Sequence, residues 1–410
     1  MPRRRNAKFR RFGRVKSYLS VSVRFIARFG LAHRPRGAAS IGGLVILVLV
    51  LTLVAACGPG HGSAAGHRPG AGAPGLSRAE QLESNARAAQ AVTALQRRYR
   101  ASTYVATRSW QSANALGATI DYMRASGRRD FLADLRKTYR AHHGRDGFLN
   151  GYYDDEGWWA LTWINAYDLT GNPDYLGQAT DIFADMTGGW DGTCGGGIWW
   201  SKARNYKNAI ANEIFLQVAA GLHERTPGDT AYLDWALREW AWFQGTGMLT
   251  RSHLVIDGLA GCRPDMNSPT WTYNQGMLIG GLVALARMTG REAPLATAER
   301  IAEAVMADPG LSQDGVLREP CEPTGCGMDG PLFKGIFIRN LKALADRVGR
   351  GGRPGSAAYH AYIRHNAVAV WSHDRRGDEF GLSWSGPFDA ASTARQASAL
   401  DVLNTQVSAG

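Results

Sequence analysis

Four short segments, MRASGRRDFL, YDLTGNPDYL, HERTPGDTAYL and ARMTGREAPL, share one punctuation, a Ser- or Thr-containing glycine turn between two apolar-periodic stretches. The turn glycines are Gly127, Gly171, Gly228 and Gly290, spaced 44, 57 and 62 residues apart. Glycine in that place suits the left-handed residue that ends an α-helix, and so short a connection makes the two helices antiparallel neighbours. From Ser77 onward apolar residues recur at spacings of three and four, the period of helices packed on a core. Twelve are expected, near 77–100, 109–126, 129–142, 155–170, 173–187, 205–225, 229–244, 272–289, 294–307, 331–348, 356–373 and 389–404. Ser77 and Glu80 form a capping box that opens the first. No segment sustains the period-two alternation of β-branched residues that a major sheet needs. The expected fold is therefore all-α, an (α/α)6 barrel of six hairpins with an inner and an outer ring; an open solenoid is the alternative.

The loops are unequal. Tight turns alternate with long Gly- and Trp-rich connections, after which inner helices begin at Tyr153, Asn205, Trp271 and Leu332. One mouth of the barrel is thereby elaborate and the other plain, the asymmetry a cleft-bearing face requires.

The formal charge of +12 is confined to the start of the chain. Residues 1–56 hold twelve of the 47 Lys and Arg and no acid, which leaves 35 basic against 35 acidic residues from Cys57 onward. A neutral body offers no extended basic field to phosphates, which argues against a nucleic-acid partner. Residues 1–56 have the parts of a lipoprotein-type signal or membrane anchor: a basic stretch to Arg36, an apolar run from Ile41 to Ala56, and a small-residue site before Cys57. Val54-Ala55-Ala56-Cys57 resembles a bacterial lipobox, which implies lipidation of Cys57; an uncleaved anchor is the alternative. Both put the remainder at the extracellular face of the membrane. Residues 57–76 read as a Gly/Ala/Pro-rich tether, and residues 77–408 as one large domain. In an oxidising compartment the other cysteines are expected as disulfides, Cys321 with Cys326 across a four-residue loop and hence Cys194 with Cys262. A zinc site is the rival, but no His stands at ligand spacing, and no metal is expected.

Three consecutive acids meet an aromatic run in NGYYDDEGWW, Asn150 to Trp159. Glycoside cleavage needs one carboxylate at the anomeric carbon and one protonated carboxyl for the leaving oxygen, and Asp154 and Asp155 supply a pair whose mutual repulsion splits their pKa values. Helix capping is the plain alternative. Glu156 either faces the cleft and raises its neighbours or points to solvent. Trp faces stack on sugar rings and amides bind vicinal hydroxyls. The candidate substrate contacts are therefore Tyr153, Trp158, Trp199, Trp200, Asn205, Tyr206, Asn208, Asn212, Trp271, Tyr273, Asn274 and Gln275. Asp257 and Lys334 join them, the former equally an ordinary turn residue and the latter able to snorkel outward. Trp163, Trp235, Trp240 and Trp242 read as packing within helices.

The segments YYDDEGWW, GGGIWW, NYKNAIANEIF, TWTYNQG and LFKG, in this order over about residues 80–405, resemble glycoside hydrolase family 76. The resemblance implies an (α/α)6 barrel with retaining endo-α-1,6-mannanase activity on a mannan-type polysaccharide. It implies Asp154 as nucleophile, Asp155 as general acid/base, and no cofactor. A monomer is expected. A transglycosidase acting on mannose-containing envelope glycans and a non-catalytic glycan-binding lipoprotein are the alternatives, with an epimerase or lyase on the same barrel as a third.

Overall fold

The computed structural model describes residues 76–99 and 109–409. The leader, the lipidation site Cys57 and all of the tether except Leu76 lie outside the described residues. Among the described residues twelve α-helices follow one another: α1 (Arg78–Arg98), α2 (Ser109–Ser126), α3 (Leu132–His142), α4 (Tyr153–Thr170), α5 (Pro173–Thr187), α6 (Ala209–Arg225), α7 (Ala231–Thr246), α8 (Thr272–Thr289), α9 (Glu292–Ala307), α10 (Phe333–Arg350), α11 (Gly355–His373) and α12 (Thr393–Asn404). The even-numbered helices pack each against the next, and α12 closes on α2, which makes a ring. Helices α5, α7, α9 and α11 each lie against two ring helices, and α1 bridges α12 and α2. Tyr139 of α3 meets Trp163 of α4 and Tyr175 of α5 edge-on. This is the six-hairpin barrel.

The turn glycines do what the repeat required. Gly127, Gly171, Gly228 and Gly290 all have φ between 66° and 88°. Ser77 and Glu80 form the reciprocal capping box at α1. Two helix starts differ by four residues because a side-chain cap decides them. Asn208 and Ser392 accept the backbone N–H groups of Ala211 and Arg395, so α6 begins at 209 rather than 205 and α12 at 393 rather than 389. Sheet content among the described residues is three two-residue antiparallel ladders in the mouth loops.

The ring is held close by small residues. A Cβ on Gly157 of α4 would come 2.2 Å from the Ile214 side chain of α6, and one on Gly276 of α8 would come 2.5 Å from the Phe337 backbone of α10. Behind the ring, Trp163 is fully buried among Tyr139, Phe148, Trp159 and Tyr175. Trp235 and Trp242 pack around Trp190 between α6 and α7. These are the core positions expected of helical tryptophans.

Every inner helix points its N-terminus at the same mouth, where the long loops lie (143–152, 188–208, 247–271, 308–332 and 374–392). Those loops are fastened by buried side chains. Asn212 of α6 accepts the N–H and donates to the carbonyl of Ile198, and Gln275 of α8 does the same to Val255, each mimicking a neighbouring strand. Lys207, almost wholly buried, donates to Asp191 and to the carbonyls of Thr193, Gly196 and Gly197, gathering the Gly-rich loop around one ammonium. The disulfides pair as expected, Cys194–Cys262 and Cys321–Cys326.

Cys194–Cys262 spans 68 residues and Cys321–Cys326 spans five. Loop-closure entropy assigns them about 4 and about 2 kcal/mol respectively. Replacing Cys194 and Cys262 together by Ser is therefore expected to lower the denaturation midpoint more than replacing Cys321 and Cys326. Equal losses would show that closure entropy does not govern.

Candidate active site

The mouth opens into a cleft of about 730 Å³. Helix α4 begins at Tyr153, so Asp154 and Asp155 fall in its first turn, and both line this cleft. Segment 151–153 pairs with segment 200–202: the Tyr153 N–H donates to the Trp200 carbonyl (2.9 Å) and the Lys202 N–H to the Gly151 carbonyl (2.9 Å). With Asn150 just before it, that pairing gives each of three consecutive acids its own partner. The Trp200 indole donates to Asp154 Oδ2 (3.0 Å), the Asn150 amide to Asp155 Oδ2 (2.8 Å), and Lys202 lies 2.7 Å from Glu156.

Asp154 Oδ1 is out of contact with solvent and has no protein hydrogen-bond partner. Burial, followed by the charge of Asp155, holds the Asp154 carboxyl well above its ordinary pKa, against the Trp200 bond that lowers it. Glu156 takes neither expected position. It is fully buried behind the cleft, and burial pushes its carboxyl up to about 8 although Lys202 opposes this.

One wall of the cleft carries Tyr152 and Trp200, ring centroids 4.9 Å apart, with Tyr206 beside Trp200. The other carries Trp110, Trp158, Trp271, Tyr273 and Phe333, with Tyr273 stacked on Phe333 at 3.8 Å. Between them sits Asp257, accepting from the Tyr206 hydroxyl (2.8 Å) and the Asn274 amide (3.2 Å), its pKa raised by burial. Burial and the charges of Asp257 and Asp154 also hold the Tyr273 phenol protonated. Two carboxylates on one helical turn, a third opposite, and flat aromatic walls make a site shaped for sugar rings and equipped for acid–base work on them. Among the described residues no cluster of three or more His, Cys, Asp or Glu could hold a metal ion.

Of the residues expected from the sequence, Asp154, Asp155, Trp158, Trp200, Tyr206, Asn208, Asp257, Trp271 and Tyr273 line the cleft. The others do not. Asn212 and Gln275 are spent on clamping loops, and Asn274 stands behind Asp257. The Trp199 indole donates to Asp191 (2.7 Å) and its ring lies under Lys207. Tyr153 is buried under Lys202, and Asn205 is exposed away from the cleft. Lys334 neither snorkels nor reaches the cleft: fully buried, it donates to the Leu382 carbonyl, pairs with Glu322 and lies over the Trp384 ring. Trp110, Asn150, Tyr152, Asp329 and Phe333 line the cleft without having been singled out. Trp110 and Phe333 stand in first turns of inner helices, as Asp154 does.

A carboxyl whose folded-state pKa lies above its unfolded value keeps a proton that the unfolded chain has released. Stability is then full at low pH and declines as pH rises through the window above the ordinary value of 3.8. Asp154→Asn keeps an acceptor for Trp200 and removes the ionisation, so it is expected to raise the melting temperature at pH 7 by roughly 1–3 °C and by nothing near pH 4. A variant that melts lower at pH 7 would show that the folded protein prefers Asp154 ionised.

Comparison with known proteins places this geometry. The model of glycosyl hydrolase family 76 matches residues 84–409. The mannan endo-1,6-alpha-mannosidase DCW1 of Saccharomyces cerevisiae is 27% identical over 328 residues, 72% of this chain and 70% of that protein. The mannan endo-1,6-alpha-mannosidase DFG5 of the same yeast is 32% identical over 208 residues, 46% of this chain and 44% of that protein. The chain thus spans between 44% and 70% of the length of these two relatives. Among solved structures, the GH76A alpha-1,6-mannanase of Salegentibacter sp. HEL1_6 aligns with a TM-score of 0.66 at 26% identity, over 73% of this chain and 89% of that one. An inactive variant of that mannanase, with two adjacent aspartates changed to asparagine and alpha-1,6-mannotriose bound, shares the fold with a TM-score of 0.69 at 24% identity, over 79% and 98% of the two chains. With four-fifths of its length matched by the family model and the six-hairpin barrel in place, the chain belongs to glycosyl hydrolase family 76.

Proposed function

We propose that this glycoside hydrolase cleaves internal α-1,6-mannosidic bonds of a mannan-type polysaccharide with retention of configuration, Asp154 and Asp155 being the reacting pair. The observation that carries the reading is that both carboxylates open from one helical turn into one aromatic cleft, each with a different donor. The naming of the fungal relatives as mannan endo-1,6-alpha-mannosidases supports the linkage, and the inactive mannotriose-bound variant supports an adjacent aspartate pair.

In the first step Asp154 attacks C1, the C1–O6 bond breaks, and Asp155 gives its proton to the leaving O6. In the second, Asp155 takes a proton from water as that water attacks C1 and releases Asp154. The carboxylate roles follow the family resemblance, and burial opposes them, since it favours protonated Asp154. Positive charge developing at the anomeric carbon as the bond breaks favours ionised Asp154, so the reactive form is the one with the proton on Asp155.

Asp154→Asn and Asp155→Asn are each expected to lower turnover of linear α-1,6-mannan by roughly 10²- to 10⁴-fold without unfolding. Reducing-end assays measure this, and NMR of the first product should show the α anomer. Longer oligosaccharides among the products would favour transglycosylation instead. With an activated aryl α-mannoside and azide, Asp155→Ala should yield the α-mannosyl azide and Asp154→Ala the β. The opposite pattern would exchange the roles.

We also infer that the enzyme works outside the cytoplasmic membrane, held there by a lipid on Cys57. The two disulfides support an oxidising compartment. Among the described residues no helix is long and apolar enough to cross a membrane. Labelled palmitate should enter the wild-type protein in a bacterial host and be absent from Cys57→Ser; equal labelling would sink the assignment.

A further inference from the structure

Glu156 is an expensive residue to keep where it is. It stands in the first turn of α4 with no exposed side-chain surface, and a buried carboxyl is costlier than an apolar side chain unless its bonds compensate. Its Oε1 receives the Asn150 backbone N–H (2.7 Å) and lies 2.7 Å from Lys202 Nζ, which also reaches Asp185 (2.9 Å). The Lys202 ammonium rests 5.6 Å from the Tyr153 ring centroid.

Asn150 joins this buried group to the cleft. Its backbone N–H is taken by Glu156, its Oδ1 accepts the Tyr152 N–H (2.7 Å), and its Nδ2 donates to Asp155 Oδ2 (2.8 Å). With main chain and carbonyl oxygen both fixed, the carboxamide plane is set and one of its two N–H bonds is aimed at Asp155. Without Glu156 the part-buried loop N–H would lose its acceptor, and residue 150 would shift to recover one.

We propose that Glu156 is a positioning residue which, through Asn150, aims the Asp155 carboxyl at the scissile oxygen. The inference rests on Asp155 belonging to the reacting pair. Glu156 itself does not touch the substrate. It sets the loop conformation from which Asn150 holds one Asp155 oxygen, and the Lys202 ammonium, shared with Asp185, holds it from behind.

The test is steady-state kinetics of the purified full chain on linear α-1,6-mannan, for wild type, E156A, E156Q, N150A and N150A/E156A, with D155N as control and melting curves for each. E156A is expected to lose roughly 10- to 100-fold in kcat, the cost of a misplaced group of about 1 Å, with KM little changed. E156Q retains an acceptor for the Asn150 N–H and is expected to recover most of that loss. The double variant should be no slower than N150A, because both changes break one relay. A folded E156A with wild-type kcat, or a double variant whose loss is the product of the two single losses, overturns the proposal. N150A with wild-type kcat overturns it even if E156A cannot be purified. An active D155N would instead bring down the assignment of the reacting pair, and is told apart by that control alone.

Discussion

The pairing of residues 151–153 with residues 200–202 is the contact on which the site depends. Two backbone hydrogen bonds bring the start of α4 against the loop before α6. Adjacent side chains on a helix diverge by about 100°, so three consecutive acids cannot share one partner. The pairing presents Trp200 and Lys202 from one segment, and Asn150, just before the other, comes from a third direction. The outcome is an electrostatic separation of like residues: one carboxyl desolvated in the cleft, one anchored by an amide, and one buried behind with a compensating ammonium.

The same lacing continues around the mouth. Segments 207–209 and 257–259 exchange backbone bonds, and Cys194–Cys262 joins their loops covalently. Buried Glu319, from the loop before α10, caps the start of α8 at Thr272. Lys334 ties α10 to the loop before α12, and Asp329 accepts from Trp110 and Gln111 of α2. Irregular backbone thereby becomes a continuous rim, and its polar groups are satisfied by side chains that a sheet would not have required. The inner helices add their positive ends beneath it, a field that favours carboxylates in first turns.

The barrel was legible in the sequence because its determinants are local. A left-handed glycine after α2, α4, α6 and α8 and a three-four apolar period are written within a few residues of where they act. The doublet Asp154-Asp155 was legible for a similar reason, since three acids beside Trp158 and Trp159 contradict an ordinary core helix. Asn212, Gln275 and Lys334 misled because an amide or ammonium facing inward has the same local pattern whether it meets a sugar or a carbonyl. Their partners, Ile198, Val255 and Leu382, lie 14, 20 and 48 residues away in loops whose paths no period encodes. Asn150 was passed over because its importance comes from three hydrogen bonds, one of them from its main chain.

The separation of long loops from tight turns has a consequence for how such a chain can change over time. Each long loop runs from an odd-numbered helix to the next inner helix across the same mouth. Altering one loop's length or composition reshapes a wall of the cleft while the helix contacts beneath, set by Gly157, Gly276 and their neighbours, stay as they are. The rim fastenings are mostly one side chain to one loop, so a substitution there is local in effect. The plain end has no such latitude, because its turns are only two to five residues long and close directly on the packed ring. The barrel thus confines innovation to one end, where a different branching or chain length in the polysaccharide can be met by exchanging a loop without redesigning the scaffold.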